Sequence, residues 1–590
     1  ASATPGNYDF EFTVTDAGGQ SAIQLVTIEV LANVRTNTHE GTEFWIPVTS
    51  NNLYSGTGGT FDINLVSNGA DTDATIEIPA LGITENLPLI ANQMATYSIN
   101  LDEFATTEGY ALNTLLENYA IHITAASPIS VYFMNQRTST TDGFLGLPVS
   151  SLGKEYIAAT YIMLGKLGIS KTVDGGQLGA MVTIVATEDD TQVTVDAIMD
   201  IFPGGQQQIE VGNPIQINMN RGDVYNLETK GSFKADLTGS IISADKPIGV
   251  ISQMECVHVP VGQTACDHLV EQLPPIESLA TEYYTVPFWG RTVDGRFSSR
   301  EYGDTFRVVA PFDGTEIYID EVLRARLNQG EYLEYLANQP RHVRASHPVL
   351  LMQYSNGNQY DEGYRELEDD FTDPFMVIVP PAEQFLKQYT VNTPARNLAY
   401  NFANLLVPTS AKATVTVDGQ AVDENLFGEI PNSPFSYIQL PLAQGSHHIE
   451  AQEPFGIYVY GYDYFESYGY LGGMAFSSAR SVTSLSLSGA PAQTLDYEWC
   501  AESSVADIYG RPVNGVRIKF NVAGVSNRDA YRFSDEHGIA RYCYRGDKQG
   551  VDTVTASLEQ LSQSTDIDWL AGTQNRAPVI HSLPNLHVVD

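Results

Sequence analysis

A chain of 590 residues is too long for one hydrophobic core and has to divide into several domains. Its 71 acidic residues against 31 basic ones leave a formal charge of −40, which repels nucleic acid and anionic membrane and suits a highly soluble protein in salty or calcium-bearing surroundings. Hydrophobic residues make up 43%, enough for globular cores, but no apolar run approaches membrane-spanning length.

Residues 1–33 read as the end of a domain. From Tyr8 to Asp16 apolar and polar residues alternate, Asp16 to Gly19 makes a turn, and Ile23 to Val30 is a returning strand. A central region, 34–478, follows, and three signals recur within it. The first is a closing strand that starts with Ala-x-x-Pro and continues with alternating apolar residues. It occurs at Ala125–Pro128, Ala244–Pro247, Ala345–Pro348 and Ala451–Pro454, with prolines 119, 101 and 106 residues apart. The second is a hinge made of an Asp, an apolar run and Pro: Asp142 to Pro148, Asp267 to Pro274 and Pro275, Asp373 to Pro380 and Pro381. The third is an aromatic eight residues after the last hinge proline, at Tyr156, Tyr283 and Tyr389, with Phe44 opening the first copy.

Three signals in one order predict four divergent copies of one unit, at about 41–147, 148–274, 275–380 and 381–475. Each copy reads as strands, for example at 73–78, 190–195, 314–319 and 412–417, flanked by Asp, Gly or Asn turns. Short helical pieces are expected only at 101–104 and 114–118. The fold class is therefore all-β, as four packed sandwich-like units. A copy of roughly 105 residues is long for a propeller blade of about 40–50, so a propeller-like ring of four units is the alternative. A separate domain spans 479–572, and 573–590 reads as the start of another repeat.

The four cysteines fall as two local pairs, Cys256/Cys266 and Cys500/Cys543. Even pairing within domains favours disulfides and an oxidising compartment, and neither spacing resembles a zinc site.

No G-x-S-x-G, HExxH, P-loop or dinucleotide signature occurs, so the chain is not expected to be an enzyme. Asp267, His268 and Glu271 could exchange protons, but Asp267 occupies the repeated hinge, whose other copies lack the His; a turn-capping role is the plainer reading. His447 and His448 are neighbours on a strand and point to opposite faces, which disfavours chelation. Calcium is a better prospect. Asp361, Glu362, Glu366, Glu368, Asp369, Asp370 and Asp373 crowd one stretch with hard oxygen ligands, although EF-hand spacing is missing and a solvated acidic loop is the simpler reading. Tyr458, Tyr460, Tyr462 and Tyr464 stand at period two and would line one strand face, as an exposed binding patch or, in the plainer reading, as a buried or half-buried sheet face. The cysteine-bracketed loop, with His258 and Gln263, is a second contact candidate, because a loop fixed at its base loses little entropy on binding.

The central region resembles the N-terminal domain of the IgGFc-binding protein family. The likeness is carried by Asp142 to Pro148 with Gly153, Lys154, Glu155 and Tyr156, by Cys266 to Pro275, by Gly303 to Val308, and by Asp373 to Met376 with Pro380 to Gln384. It implies an extracellular, non-enzymatic binding module. Residues 479–572, through Gly510 to Val516, Ser534 to Gly538 and Ala540 to Tyr544, resemble an invasin-type bacterial immunoglobulin-like domain, which implies a Cys500–Cys543 bridge between strands. Both flanks resemble cadherin-like repeats. Together the resemblances imply a segment of a large bacterial surface adhesin that meets a glycoprotein, a glycan or a neighbouring cell, with a structural spacer as the alternative and an enzyme acting on extracellular polymer as a third.

Overall fold

The computed structural model describes residues 6–15, 21–30, 38–51, 58–107, 109–162, 179–199, 211–229, 236–261, 266–289, 303–357, 360, 373–394, 398, 400–463, 465–476, 482, 484–495, 497–506, 512–513, 516–535, 537–558 and 561–571. Strands dominate throughout. The first two, Gly6–Thr15 and Ser21–Val30, form an antiparallel hairpin.

Each of four sheets in the central region is built on one long strand: Ile121–Arg137, Ile241–Val257, Arg341–Tyr354 and Gly445–Asp463. The Ala-x-x-Pro stretch lies in the middle of this strand and not at its start. There, two residues of the unit's opening strand face five of the long strand, as between Glu43↔Thr124 and Gly41↔Ile129, and the same step recurs in the other three units. Proline cannot donate to a ladder, so the bulge that carries it is where pairing breaks and the strand turns. The half before the corner pairs with one set of strands and the half after it with another. In the first unit Ala74 to Glu77 pair before the corner and Thr60 to Ser67 after it. Each unit is thus a small two-layer sandwich whose layers share one bent strand.

The aromatic signal and the proline signal meet at this corner. Tyr156 donates its hydroxyl to the carbonyl of Ile248 at 2.6 Å, Tyr283 to Val349, and Tyr389 to Phe455 at 2.6 Å, in each case the residue after the corner proline. The same hydroxyls accept from the N–H groups of Gly153, Ala280 and Leu386, three residues earlier. One buried phenol therefore ties the opening strand to the bend. Phe44 has no hydroxyl and fills the equivalent space by packing alone.

The four units close into a ring. A return strand follows each long strand: Thr140–Gly146, Asp267–Gln272, Met376–Ile378 and Glu466–Leu471. These strands pack side by side about one axis, first against second, second against third, third against fourth, and fourth against first. Closure is sealed by the bridge between Thr38 and Ala475 and by the His39 N–H donating to the Met474 carbonyl at 3.1 Å. Apolar clusters span the joints: Ile251 and Val270 join the first core, Met352 and Tyr354 pack with the second, and Tyr132 and Leu145 pack with the fourth. Sandwich units and a ring are both realised, with sandwiches as the members of the ring.

Two local expectations fail. Residues 114–118 hold the short strand Leu115–Leu116, paired with Val224 and Tyr225 of the second unit, because edge pairing there outweighs helix propensity. Residues 412–417 start as a 3-10 turn, Lys412–Thr414, and only Thr416–Val417 pairs as strand.

Residues 484–570 form a separate two-sheet sandwich around Trp499, Phe520, Tyr544 and Trp569. Its buried Asp552 accepts from Trp569 Nε1 at 2.9 Å and from the Tyr544 hydroxyl at 3.1 Å. It leans on the ring through Phe533 against Phe312 (4.6 Å between ring centres) and through the Arg517–Glu155 ion pair.

Candidate functional site

The return strands bring the hinge aspartates to the ring axis. Asp142 is fully buried, and its carboxylate accepts a backbone N–H from every unit: Gly143 at 2.8 Å, Val270 at 3.0 Å, Met376 at 3.3 Å and Gly469 at 3.2 Å. Burial pushes its pKa well up, and the four donors pull against that. Gly469 fits this approach because a Cβ would lie 2.2 Å from the Phe375 ring. Asp267 accepts from the N–H groups of Thr141 (3.0 Å) and His268 (2.7 Å), and Glu271 accepts from Ile378 N–H at 3.1 Å. Asp373 is buried beside them, and Glu466 accepts from Ser139 N–H and the Thr141 hydroxyl. Burial raises the pKa of Asp267, Glu271, Asp373 and Glu466, and neighbouring carboxylates add to it at Asp267, Glu271 and Asp373.

Asp267 and His268 form no acid–base dyad. The imidazole Nδ1 faces the Met254 carbonyl at 2.9 Å, and burial pushes the ring down to about 4. His447 and His448 likewise part company, the first 2.8 Å from Asp418 and the second 3.0 Å from the Thr390 hydroxyl.

The tyrosine stripe is not a surface. Tyr458, Tyr460 and Tyr462 are buried in the joint between the third and fourth units, with Tyr284, Phe288 and Phe375. Tyr458 donates to the Val286 carbonyl at 2.6 Å and Tyr460 to Asn404 Oδ1 at 2.8 Å. Strand periodicity placed the rings together but could not show that another unit covers them, so their proposed role as an exposed patch is withdrawn. Tyr464, Gln263, Asp361, Glu362, Glu366, Glu368, Asp369 and Asp370 lie outside the described residues. Of the acidic set, Asp373 is placed, at the axis and not on a surface loop.

Both cysteine pairs are bridged, Cys256–Cys266 and Cys500–Cys543. Cys500 and Cys543 stand opposite each other on adjacent strands. The first bridge closes the connection between the second unit's long and return strands, with His258 half-buried at its base. Gly357 N–H, from the equivalent connection of the third unit, donates to Val259 C=O at 2.7 Å, so these two long connections emerge together at one end of the ring. Of the other two, the one at 138–139 is a tight turn and the fourth joins Asp463 to its ladder partner Glu466, which Ser139 touches.

Sequence reading missed a second buried polar cluster, between the first and second units. Gln253 Oε1 accepts from Ser50 N–H at 2.9 Å, Ser50 donates its hydroxyl to Glu255, and Asn135 Nδ2 reaches the Thr49 carbonyl at 2.7 Å. Burial pushes Glu255 up to about 7. A carboxyl that stays protonated in the fold and ionises when unfolded favours the fold at low pH. Its contribution is fully present below about 4.5 and is lost as pH rises through about 7. Between about pH 4.5 and 7 stability should therefore fall, with about 3 kcal/mol of the fall due to Glu255. Thermal melts across that range should show the decline in the parent and a shallower one in Glu255→Gln; identical slopes would contradict the assignment.

These features define a class: an all-β module of four two-layer units closed around a buried acidic axis, with its long connections at one end. The chain belongs to the IgGFc-binding protein family, whose model matches residues 142–461, more than half of its length. Human IgGFc-binding protein is 24% identical over 403 residues, which is 67% of this chain and 7% of that protein, so the chain spans a small fraction of the curated relative. Among solved structures, a tetra-tandem repeat from the extending region of a large adhesion protein matches with 11% identity over 66% of this chain and 93% of its own, at a TM-score of 0.17. Escherichia coli α2-macroglobulin matches with 9% identity over 96% of this chain and 44% of its own, at 0.12. Likenesses that weak carry no argument.

Proposed function

We propose that the chain is a non-enzymatic binding segment of a large extracellular adhesive protein, and that the binding face is the end of the ring where the 258–266 and 355–375 connections emerge. The observation that carries this reading is the Gly357–Val259 contact, which sets the bases of the two long connections side by side at one end of the ring, while the other two connections span only two residues each. The Cys256–Cys266 bridge fixes one of them at its base, which lowers the entropy lost on binding, and two disulfides suit an oxidising compartment. The partner class is an extracellular glycoprotein or glycan, and the family name makes an immunoglobulin Fc the first probe. Carriage on a bacterial cell surface, among cadherin-like and invasin-type immunoglobulin-like repeats, belongs to the same reading.

A spacer role is the second reading, favoured by the burial of the tyrosine stripe within a unit joint. The test is binding of the whole chain to immobilised Fc, to mucin and to a glycan array. Saturable binding to one probe is expected, weakened about tenfold in the Cys256→Ser/Cys266→Ser double variant through lost pre-organisation. No binding to any probe would turn the choice to the spacer, and binding that the double variant leaves unchanged would overturn the placement of the binding face.

A further inference from the structure

We propose that the ring axis seats one divalent hard cation, of the calcium class, between Asp267 of the second unit and Asp373 of the third. Asp267 uses Oδ1 to accept two N–H groups, while its Oδ2 is buried with no hydrogen-bond partner. Asp373 Oδ1 is likewise buried and bare. Asp267 is 0% exposed and Asp373 2%. The charged groups that act on this pair are further carboxylates: Asp373 and Glu466 on Asp267, and Glu466 on Asp373. Asp142 stands on the first unit's return strand and Glu271 on the same strand as Asp267, but their oxygens already accept backbone N–H groups. A buried carboxylate with a bare oxygen is costly unless it is paired, protonated or coordinated to a metal. Among the described residues the charges that act on the two aspartates are carboxylates, so the choice lies between a shared proton and a cation.

The two bare carboxylate oxygens are hard donors of the kind a calcium-class cation takes. Among the described residues no three acidic, imidazole or thiolate groups converge on one point except Glu498 with Cys500 and Cys543, whose sulfurs are committed to a disulfide. The axial seat is therefore a two-carboxylate one, completed by neutral oxygens and water, a donor set that hard cations accept. It would couple all four units. Asp267 accepts from Thr141 of the first unit, and Ser467 of the fourth donates to the Asp373 carbonyl at 2.7 Å. This relocates the calcium expectation from the acidic 361–370 stretch to the ring axis.

The experiment uses the whole chain, stripped with EDTA and then titrated with calcium chloride. Equilibrium dialysis should find one tightly held ion, and the ring's melting temperature should rise by roughly 5 °C at about 1 mM calcium. Asp267→Asn and Asp373→Asn should each abolish the rise while leaving the calcium-free melting temperature equal to the parent's or higher, because each removes one of two repelling carboxylates. A triple variant of the 361–370 stretch, Glu366→Gln/Asp369→Asn/Asp370→Asn, should keep the rise. The proposal is overturned if calcium leaves the parent unchanged, as a shared proton predicts, if the rise survives both axial variants, or if the triple variant alone removes it.

Discussion

Asp142→Ala is expected to cost at least about 4 kcal/mol and to open the ring, because four buried N–H groups would lose their acceptor together at about 1–3 kcal/mol each. The four donors sit on four different return strands, so the loss falls on every joint of the ring. Alanine also leaves a void at a fully buried position, and a single water there has two lone pairs and cannot accept from all four groups. Asp142→Asn separates acceptor loss from volume loss. It keeps the shape but turns one oxygen into an NH2 that faces N–H donors, and should fall between parent and alanine. Urea unfolding followed by near-ultraviolet circular dichroism reads both. An alanine variant within about 1 kcal/mol of the parent would mean that the carboxylate is not what holds the four strands.

This node explains which parts of the molecule were legible in the sequence. The hinge Asp, the corner proline and the aromatic eight residues on were visible because each is tied to backbone geometry that side-chain substitution cannot supply. Tyr156, Tyr283 and Tyr389 bond the carbonyl that follows the corner proline, so spacing and residue type are fixed together. The position of the corner within the strand was misread. Alternation restarts after the proline, and periodicity alone cannot distinguish a new strand from a bent one. For the tyrosine stripe the plainer reading, a buried sheet face, holds and the exposed patch does not: its rings share a face, but what covers that face comes from the third unit, distant in sequence. The axial carboxylates were noticed one at a time, as a turn cap at Asp267 and a loop ligand at Asp373. Their meeting depends on ring closure, for which the sequence carries no local pattern.

Ring closure also rests on one buried cation that sequence reading passed over, and its replacement carries the second large effect. Arg307, on the strand Asp304–Val309 of the third unit, is 1% exposed. Its Nη1 reaches into the second unit, donating to Asp236 Oδ2 at 3.0 Å, the Thr160 carbonyl at 2.9 Å and the Thr238 hydroxyl at 3.0 Å. Its Nε donates to Glu334 at 2.9 Å, and its guanidinium lies 4.2 Å from the Tyr161 ring centre and 4.3 Å from that of Tyr332. Arg307→Met keeps much of the apolar stem but strands Asp236 as a buried anion, and should destabilise the joint by about 3–5 kcal/mol. Arg307→Lys should rescue little, since an ammonium cannot hold the planar fork between two rings while bonding in both directions. The decisive variant is Arg307→Met/Asp236→Asn. If the unpaired carboxylate is the main penalty, removing its charge restores about 2 kcal/mol relative to Arg307→Met alone, a coupling that a double-mutant cycle in urea resolves. Strict additivity of the two changes would instead assign the loss to the stacking on Tyr161 and Tyr332, and would leave the ion pair with no net part in holding the second and third units together.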